Sequence, residues 1–217
     1  MKILELYRYR TDFTKALRER GNSVYLVDFD QKSNPDFLGT VNEFYNYLLN
    51  DVDGWKQYKF DAIFARPHCI TYSARARWYH HRAGPTAEPL TEKARWNDDE
   101  VQAILNIINF VKPDYWLMEN PHADLRKRPF MAGIPYNTIT YCQYGYDLRK
   151  ITDIFGVYPT GWVKPPCKVG ASCHTHGSGK NGKTKAWNTT IDARKNTAEF
   201  PYEVSVAIAD ALEAALE

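Results

Sequence analysis

Residues 61–73 read Asp61-Ala62-Ile63-Phe64-Ala65-Arg66-Pro67-His68-Cys69-Ile70-Thr71-Tyr72-Ser73. The apolar run in this stretch predicts a buried strand, and Cys69 follows it closely. A second apolar run, residues 115–118, leads directly into Glu119, Asn120 and Pro121. In an open α/β sheet, ligands bind at the carboxyl ends of the strands. A thiol and a carboxylate delivered to that edge form a candidate reactive pair, so the sequence predicts an enzyme.

Predicted strands alternate with predicted helices along the chain. The strands are residues 3–6, 23–28, 61–66, 116–121, 138–142 and 152–155, and the helices are residues 12–21, 97–111 and a closing helix from Pro201. Thr11 or Asp12 is the predicted cap of the first helix and Gly21 its end, while Asn97 and Pro113 bound the second. This alternation predicts an α/β fold with a doubly wound, mostly parallel sheet.

The length and composition predict one domain. A chain of 217 residues with 44% hydrophobic content can bury one core, so residues 1–217 are expected to form a single catalytic unit. Gly, Pro, Lys and Ser dominate residues 156–197, which predicts a small loop-rich insertion within that unit. No apolar stretch is long enough to span a bilayer, and residues 1–10 are charged where a signal peptide would be apolar. We expect a cytoplasmic protein without a membrane partner; its oligomeric state is not predicted.

The charge distribution is more informative than the net charge of +2. Residues 66–95 contain six Lys or Arg against two Glu, and residues 164–195 contain seven against one Asp. Two basic segments are typical of a nucleic-acid footprint. Solvated loops balanced by acidic residues elsewhere are the alternative interpretation, and charge alone does not separate the two.

The motifs and their order resemble the DNA cytosine C5 methyltransferases, particularly the short, phage-like members with a reduced recognition region. The matching segments are residues 3–17, 27–30, Arg66-Pro67-His68-Cys69, Glu119-Asn120-Pro121, residues 143–150 and the C-terminal helix. The resemblance covers nearly the whole chain. It implies a Rossmann-like methyltransferase sheet, with residues 156–197 as the recognition or DNA-contacting insertion.

The resemblance also implies a reaction. Cys69 would add to C6 of cytosine so that C5 becomes nucleophilic, and Glu119 would act at ring N3 as an acid and orienter. Arg149, with Lys150 as the second candidate, would hold the pyrimidine O2 or a nearby phosphate. The target base would be flipped out of double-stranded DNA or taken from a single strand. RNA or a free nucleotide as the substrate remains open.

The implied cofactor is S-adenosylmethionine. The residues expected to contact it are Leu6, Tyr7, Arg8, Tyr9, Arg10, Asp28, Phe29 and Pro67. The family has a Phe-x-Gly-x-Gly loop here, whereas residues 7–12 of this chain contain no glycine. Three interpretations stay open: an altered loop that still binds S-adenosylmethionine, another one-carbon donor such as a methylene-tetrahydrofolate that would give hydroxymethylation, or a catalytically inactive DNA-binding homologue.

Two further groups of residues are candidates for binding. The residues expected to contact DNA are Arg75, Arg77, Lys180, Lys183 and Lys185. Cys167, Cys173, His174 and His176 could ligate zinc, but their spacing matches no common zinc pattern. We therefore predict no metal and interpret this segment as a DNA-contacting loop, with the zinc site as the alternative.

Overall fold

The computed structural model describes residues 1–7, 12–50, 54, 59–146, 148–174, 176–177 and 200–217. Seven strands form the central sheet: β1 (Lys2–Leu6), β2 (Ser23–Asp28), β3 (Phe37–Leu38), β4 (Ala62–Ala65), β5 (Tyr115–Pro121), β6 (Tyr136–Thr140) and β7 (Ile151–Val157). The α-helices of the described ranges are α1 (Phe13–Arg18), α2 (Val41–Leu49), α3 (Glu92–Val111) and α4 (Tyr202–Leu216). None of the helices in these ranges is long and apolar enough to cross a bilayer.

The order of the strands is β3-β2-β1-β4-β5-β7-β6. The first five are mutually parallel, and β7 runs antiparallel to both β5 and β6. Strand order reverses between β1 and β4, whose ends meet where Leu6 pairs with Ala65. The predicted α/β fold with a doubly wound, mostly parallel sheet is confirmed. For such a sheet, a ligand-binding crevice is predicted where the strand order reverses, beside Tyr7 and Arg66.

Helices cover both faces of the sheet because successive strand residues point to opposite sides. Leu4 and Ile63 join one apolar cluster with residues of α2 and α3. Ile3 and Phe64 join the other cluster with residues of α1 and α4. Strands buried on both faces are continuous apolar runs, which is why the sequence identified them.

Helix α2 was not predicted, although its start carries a recognisable signal. The Thr40 hydroxyl accepts a hydrogen bond from the Glu43 amide over 3.2 Å, and the Glu43 carboxylate accepts one from the Thr40 amide over 2.7 Å. This pair is a capping box, which satisfies two amide donors that the first turn leaves unpaired. The spacing Thr-x-x-Glu is visible in the sequence.

Replacement of Thr40 by alanine is expected to lower the free energy of unfolding by about 1 kcal/mol, since an amide of the first turn loses its acceptor. Urea titration followed by circular dichroism measures the change. Thr40→Ser is the matched control, because it keeps the hydroxyl and should remain close to wild type. Equal losses in both variants would show that the methyl group matters and the cap does not.

Helix α3 begins earlier than predicted. Its cap is Thr91, whose hydroxyl accepts a hydrogen bond from the Ala94 amide over 3.2 Å, and it ends at Lys112 in the left-handed conformation. The predicted cap, Asn97, lies inside the helix and accepts a hydrogen bond from the Thr71 hydroxyl. The prediction was wrong because the first turns of α3 turn polar side chains inward, toward the loop that follows β4.

The antiparallel end of the sheet also differs in detail. Strand β6 ends at Thr140, and residues 141–144 form a 3₁₀ turn that contains Cys142. Gly156 in β7 has φ +129°, and a Cβ atom there would stand 2.1 Å from the Trp116 carbonyl oxygen. Only glycine lets β7 approach β5 this closely.

Candidate functional site

Cys69 lies in the loop after β4 and is exposed. Its carbonyl oxygen accepts hydrogen bonds from the amides of Tyr72 and Ser73, over 3.1 and 2.9 Å, so a tight turn fixes its backbone. The preceding loop is tied to the next strand, because the Asn120 side chain donates to the Pro67 carbonyl oxygen over 3.2 Å. The thiol therefore stands on a well-supported loop at the carboxyl edge of the sheet.

Glu119 is buried near the end of β5, and four side chains from three strands or loops surround its carboxylate. Arg66 Nε donates to Oε2 over 2.9 Å. Tyr141 donates to Oε1 over 3.0 Å, and the Thr152 hydroxyl also donates to Oε1. Lys150 Nζ lies 3.9 Å from Oε1. Such a network holds a carboxylate in one orientation.

The network keeps Glu119 ionised. Burial alone would raise the pKa of its carboxyl group, but the charges of Lys150 and Arg66 and the hydrogen bonds from Thr152 and Arg66 outweigh burial and hold that pKa at about 2. At neutral pH the side chain is therefore an acceptor of hydrogen bonds. It can bind an amino group or a protonated ring nitrogen.

Of the two neighbouring candidates Arg149 and Lys150, Lys150 is the one that lies beside Glu119. Lys150 Nζ lies over the Tyr141 ring and beside Glu119, and burial lowers the pKa of its ammonium group. The guanidinium of Arg149 instead donates twice to the Cys167 carbonyl oxygen, over 3.1 and 2.9 Å. The two adjacent side chains serve different loops, which their adjacency in the sequence could not show.

The thiol is electrostatically coupled to this network. The protein around the Cys69 sulfur displaces water and so raises the pKa of this thiol, although the residue as a whole is exposed. The Glu119 charge raises the pKa further, while Lys150 and Arg66 lower it. The Glu119 charge therefore opposes formation of the Cys69 thiolate. In the free protein Cys69 is a thiol at neutral pH, and a substrate must change its surroundings to activate it.

Glu119→Gln is expected to lower the pKa of the Cys69 thiol, because it removes a negative charge that disfavours the thiolate. Lys150→Met is the matched variant and is expected to raise it. The rate of Cys69 alkylation by iodoacetamide, followed by mass spectrometry across a pH series, reports the thiolate. At fixed pH below the midpoint the rate should increase in the first variant and decrease in the second. Changes of the same sign would contradict the coupling.

A second acidic residue supports the Cys69 loop and was not predicted. Glu100 of α3 is fully buried, and its two oxygens accept from the His68 amide over 2.8 Å and contact His68 Nδ1 over 2.6 Å. The His68 ring packs against those of Tyr7, Phe29 and Trp96, with centroids 5.2 to 5.4 Å away. Helix α3 thus anchors the Cys69 loop through a buried carboxylate, which apolar periodicity cannot reveal.

The predicted cofactor residues fall into four groups, of which Asp28 and Phe29 form the last. Leu6 and Pro67 are buried in the frame of the crevice. Tyr7 has φ +66° and is 2% exposed, and its hydroxyl accepts from the Val41 amide over 3.0 Å. Its ring is therefore not available as a stacking surface for a heterocycle. Arg8, Tyr9 and Arg10 lie outside the described residues.

Asp28 and Phe29, at the end of β2, suit the nucleoside half of S-adenosylmethionine. One oxygen of the buried Asp28 carboxylate accepts the Asp30 amide over 2.8 Å, which fixes the side chain at the crevice. The Phe29 ring is 46% exposed, so an adenine could pack on it. A carboxylate can accept hydrogen bonds from ribose hydroxyls, and an exposed aromatic ring beside it can pack against the base. These are the two contacts that such a nucleoside needs.

The structure does not describe the side chains of the residues predicted to contact DNA. Arg75 and Arg77 lie in the 3₁₀ segment Ala74–Tyr79, close after Cys69 in the chain. Lys180, Lys183 and Lys185 lie outside the described residues, as does half of the predicted insertion of residues 156–197. These assignments remain predictions.

No family model matches the chain, and no curated protein matches it. Among solved structures it is similar to a prophage-encoded E. coli protein named as a DNA modification methyltransferase, with a TM-score of 0.47 and 13% identity. The match covers 72% of this chain and 46% of that one, so the chain spans about half of that protein's length. Similarity of this degree carries no argument about activity.

Proposed function

We propose that this chain modifies cytosine in DNA at C5, with Cys69 as the nucleophile and S-adenosylmethionine as the methyl donor. The observation that carries the proposal is the exposed Cys69 thiol coupled to the buried, ionised Glu119 carboxylate at the edge where ligands bind. A carboxylate so placed can accept hydrogen bonds from the N4 amino group and, once N3 is protonated, from the N3–H group. These contacts would distinguish cytosine from thymine.

The charge balance assigns the roles. As the Cys69 sulfur bonds to C6, the π electrons of the C5–C6 bond move toward C4 and N3, and N3 takes up one proton. One proton leaves the thiol and one is taken up at N3, so the count is preserved, and the ionised Glu119 carboxylate would accept the hydrogen bond of the protonated N3. Lys150 would stabilise the negative charge of the carboxylate and the ring during this step. S-adenosylmethionine supplies, when bound, an electrophilic methyl group for C5. Loss of the C5 proton to solvent, cleavage of the sulfur–C6 bond and transfer of the N3 proton to the departing sulfur then release the product.

The alternatives have less support. Interpretation as a folate-dependent enzyme relied partly on Tyr7 as a stacking surface, and the Tyr7 ring is buried. A catalytically inactive DNA-binding homologue has no need of an exposed thiol coupled to three buried ionisable groups. The basic segments, including Arg75 and Arg77, favour a polymer as the substrate.

Mass spectrometry of the nucleosides tests the proposal. The protein is incubated with double-stranded or single-stranded DNA and S-adenosylmethionine or, in parallel, methylene-tetrahydrofolate. We expect 5-methylcytosine with S-adenosylmethionine only. Hydroxymethylcytosine with the folate would reassign the donor. Methylation at cytosine N4 or adenine N6, or no modification of either DNA or RNA, would overturn the assignment.

A further inference from the structure

Three cysteines and one histidine meet beside the antiparallel end of the sheet. Cys142 comes from the 3₁₀ turn after β6, and Cys167, Cys173 and His174 come from the segment after β7. One ligand atom from each of the four side chains lies within 4.8 Å of all the others. The sequence predicts Cys167, Cys173 and His174 as candidate ligands with His176 as the fourth, whereas the structure places Cys142, 25 residues before Cys167, in the cluster.

The distances fit a four-coordinate metal ion. With Zn–S distances of about 2.3 Å and Zn–N of about 2.0 Å, a tetrahedral site has S···S edges of about 3.8 Å and S···N edges of about 3.6 Å. The Sγ atoms of Cys173 and Cys142 are 3.7 Å apart. His174 Nδ1 lies 3.6 Å from Cys167 Sγ and 3.5 Å from Cys173 Sγ. The Sγ atoms of Cys142 and Cys167 are 3.1 Å apart. Of these four distances, this is the one that is clearly shorter than in an ideal tetrahedral site.

The surroundings hold these ligands in place. The Cys167 amide donates to the Thr140 hydroxyl over 3.0 Å, and Arg149 donates twice to the Cys167 carbonyl oxygen. Gln143 Nε2 donates to Cys173 Sγ over 3.9 Å. Hydrogen bonds of this kind orient metal ligands, and the Arg149 charge would offset the excess negative charge of three thiolates on one divalent ion.

Ordinary packing of thiols explains the cluster less well. Cys142 and Cys167 are buried, but Cys173 is exposed and His174 is half-buried, so the group does not form an apolar contact. A disulfide between the two nearest sulfurs would leave the third thiol and the imidazole without a role. Three soft sulfur ligands and one imidazole are the donor set that Zn²⁺ takes in closed, structural sites.

We propose that Cys142, Cys167, Cys173 and His174 bind one structural zinc ion. The ion would join the turn after β6 to the segment after β7. Tyr141, the neighbour of Cys142, donates to the Glu119 carboxylate, and its amide donates to the Lys150 carbonyl oxygen over 3.1 Å. Metal binding would therefore also fix the two groups that stand beside the proposed catalytic carboxylate.

The test measures metal content, which needs no assay of activity and stays informative if the proposed function fails. Protein prepared under reducing conditions with zinc in the medium, then dialysed, should contain about one zinc per chain by mass spectrometry. Cys142→Ser and the more exposed Cys173→Ser should fall below about a tenth of that. Cys69→Ser and His176→Ala are the matched controls and should keep it. Circular dichroism of each variant shows whether its fold persists.

Substitution with Co²⁺ gives a second readout. A tetrahedral site with three thiolates should produce intense visible absorption bands in the wild type and in His176→Ala, and these should be lost in Cys142→Ser. Wild-type protein that holds no zinc after reconstitution would overturn the proposal. So would a Cys142–Cys167 disulfide in the freshly prepared reduced protein, or zinc that is lost in His176→Ala and retained in Cys142→Ser.

Discussion

Cys69→Ser is expected to abolish turnover and covalent capture of a DNA substrate. A hydroxyl is a far weaker nucleophile than a thiolate toward C6, so the rate should fall by about 10³-fold or more. With an oligonucleotide that contains 5-fluorocytosine, the wild type should form a covalent adduct in the presence of S-adenosylmethionine. Fluorine replaces the C5 proton whose loss would break the sulfur–C6 bond, so the protein stays bound to the DNA. A denaturing gel displays the adduct as a slower band.

Val157→Ala is the matched control for this experiment. Val157 is exposed at the end of β7, which is antiparallel to β5, so it lies at the sheet edge opposite Cys69. The control should form the adduct as the wild type does. An adduct that persists in Cys69→Ser, or one that peptide mapping places on another cysteine, would contradict the assignment.

Arg66→Met is expected to lower the free energy of unfolding by about 3 to 5 kcal/mol, because it leaves the Glu119 carboxylate buried without its closest charge partner. Chemical denaturation at pH 7 measures the loss. The double variant Arg66→Met, Glu119→Gln should recover part of it, because no uncompensated charge then remains. If the losses of the two single variants add up in the double variant, the side chains do not interact.

The loss of stability in Arg66→Met is expected to become smaller as the pH falls. In the wild type the pKa of Glu119 is depressed to about 2, so its contribution is complete above the ordinary carboxyl pKa and disappears as pH falls toward 2. In Arg66→Met one charge fewer opposes the effect of burial, so the pKa of the Glu119 carboxyl group is higher than in the wild type. Glu119 therefore takes up a proton at higher pH, and the cost of burying its charge disappears there. The difference between the two proteins should therefore shrink as the solution is acidified. A difference that widens would contradict the ion pair.

The sequence predicted the sheet, and the positions of Cys69 and Glu119 near the ends of its strands, because both depend on local pattern. Apolar runs specify strands that are buried on both faces, and Cys69 and Glu119 follow such runs directly. The same reasoning failed where polar groups are buried. Asn97 and Glu100 face inward from α3 to hold the loop of the nucleophile, and a rule that expects apolar residues on the inner face misplaces the start of that helix.

Other parts of the site depend on which remote segments meet. The choice between Arg149 and Lys150 is set by the direction each side chain takes at the start of β7. Cys142 joins Cys167 only through the antiparallel return of the chain, which no local spacing encodes. By contrast, the capping box of Thr40 and Glu43 was present in the sequence and could have been found.

The glycine at position 156 has a consequence for activity. Strand β7 starts beside Lys150, carries the Thr152 hydroxyl that binds the Glu119 carboxylate, and passes within contact of the Trp116 carbonyl at Gly156. An added methyl group there would push the strand away from its neighbour and shift the whole rigid segment along with it. The tight approach at Gly156 is therefore expected to help hold Thr152 and Lys150 beside the Glu119 carboxylate.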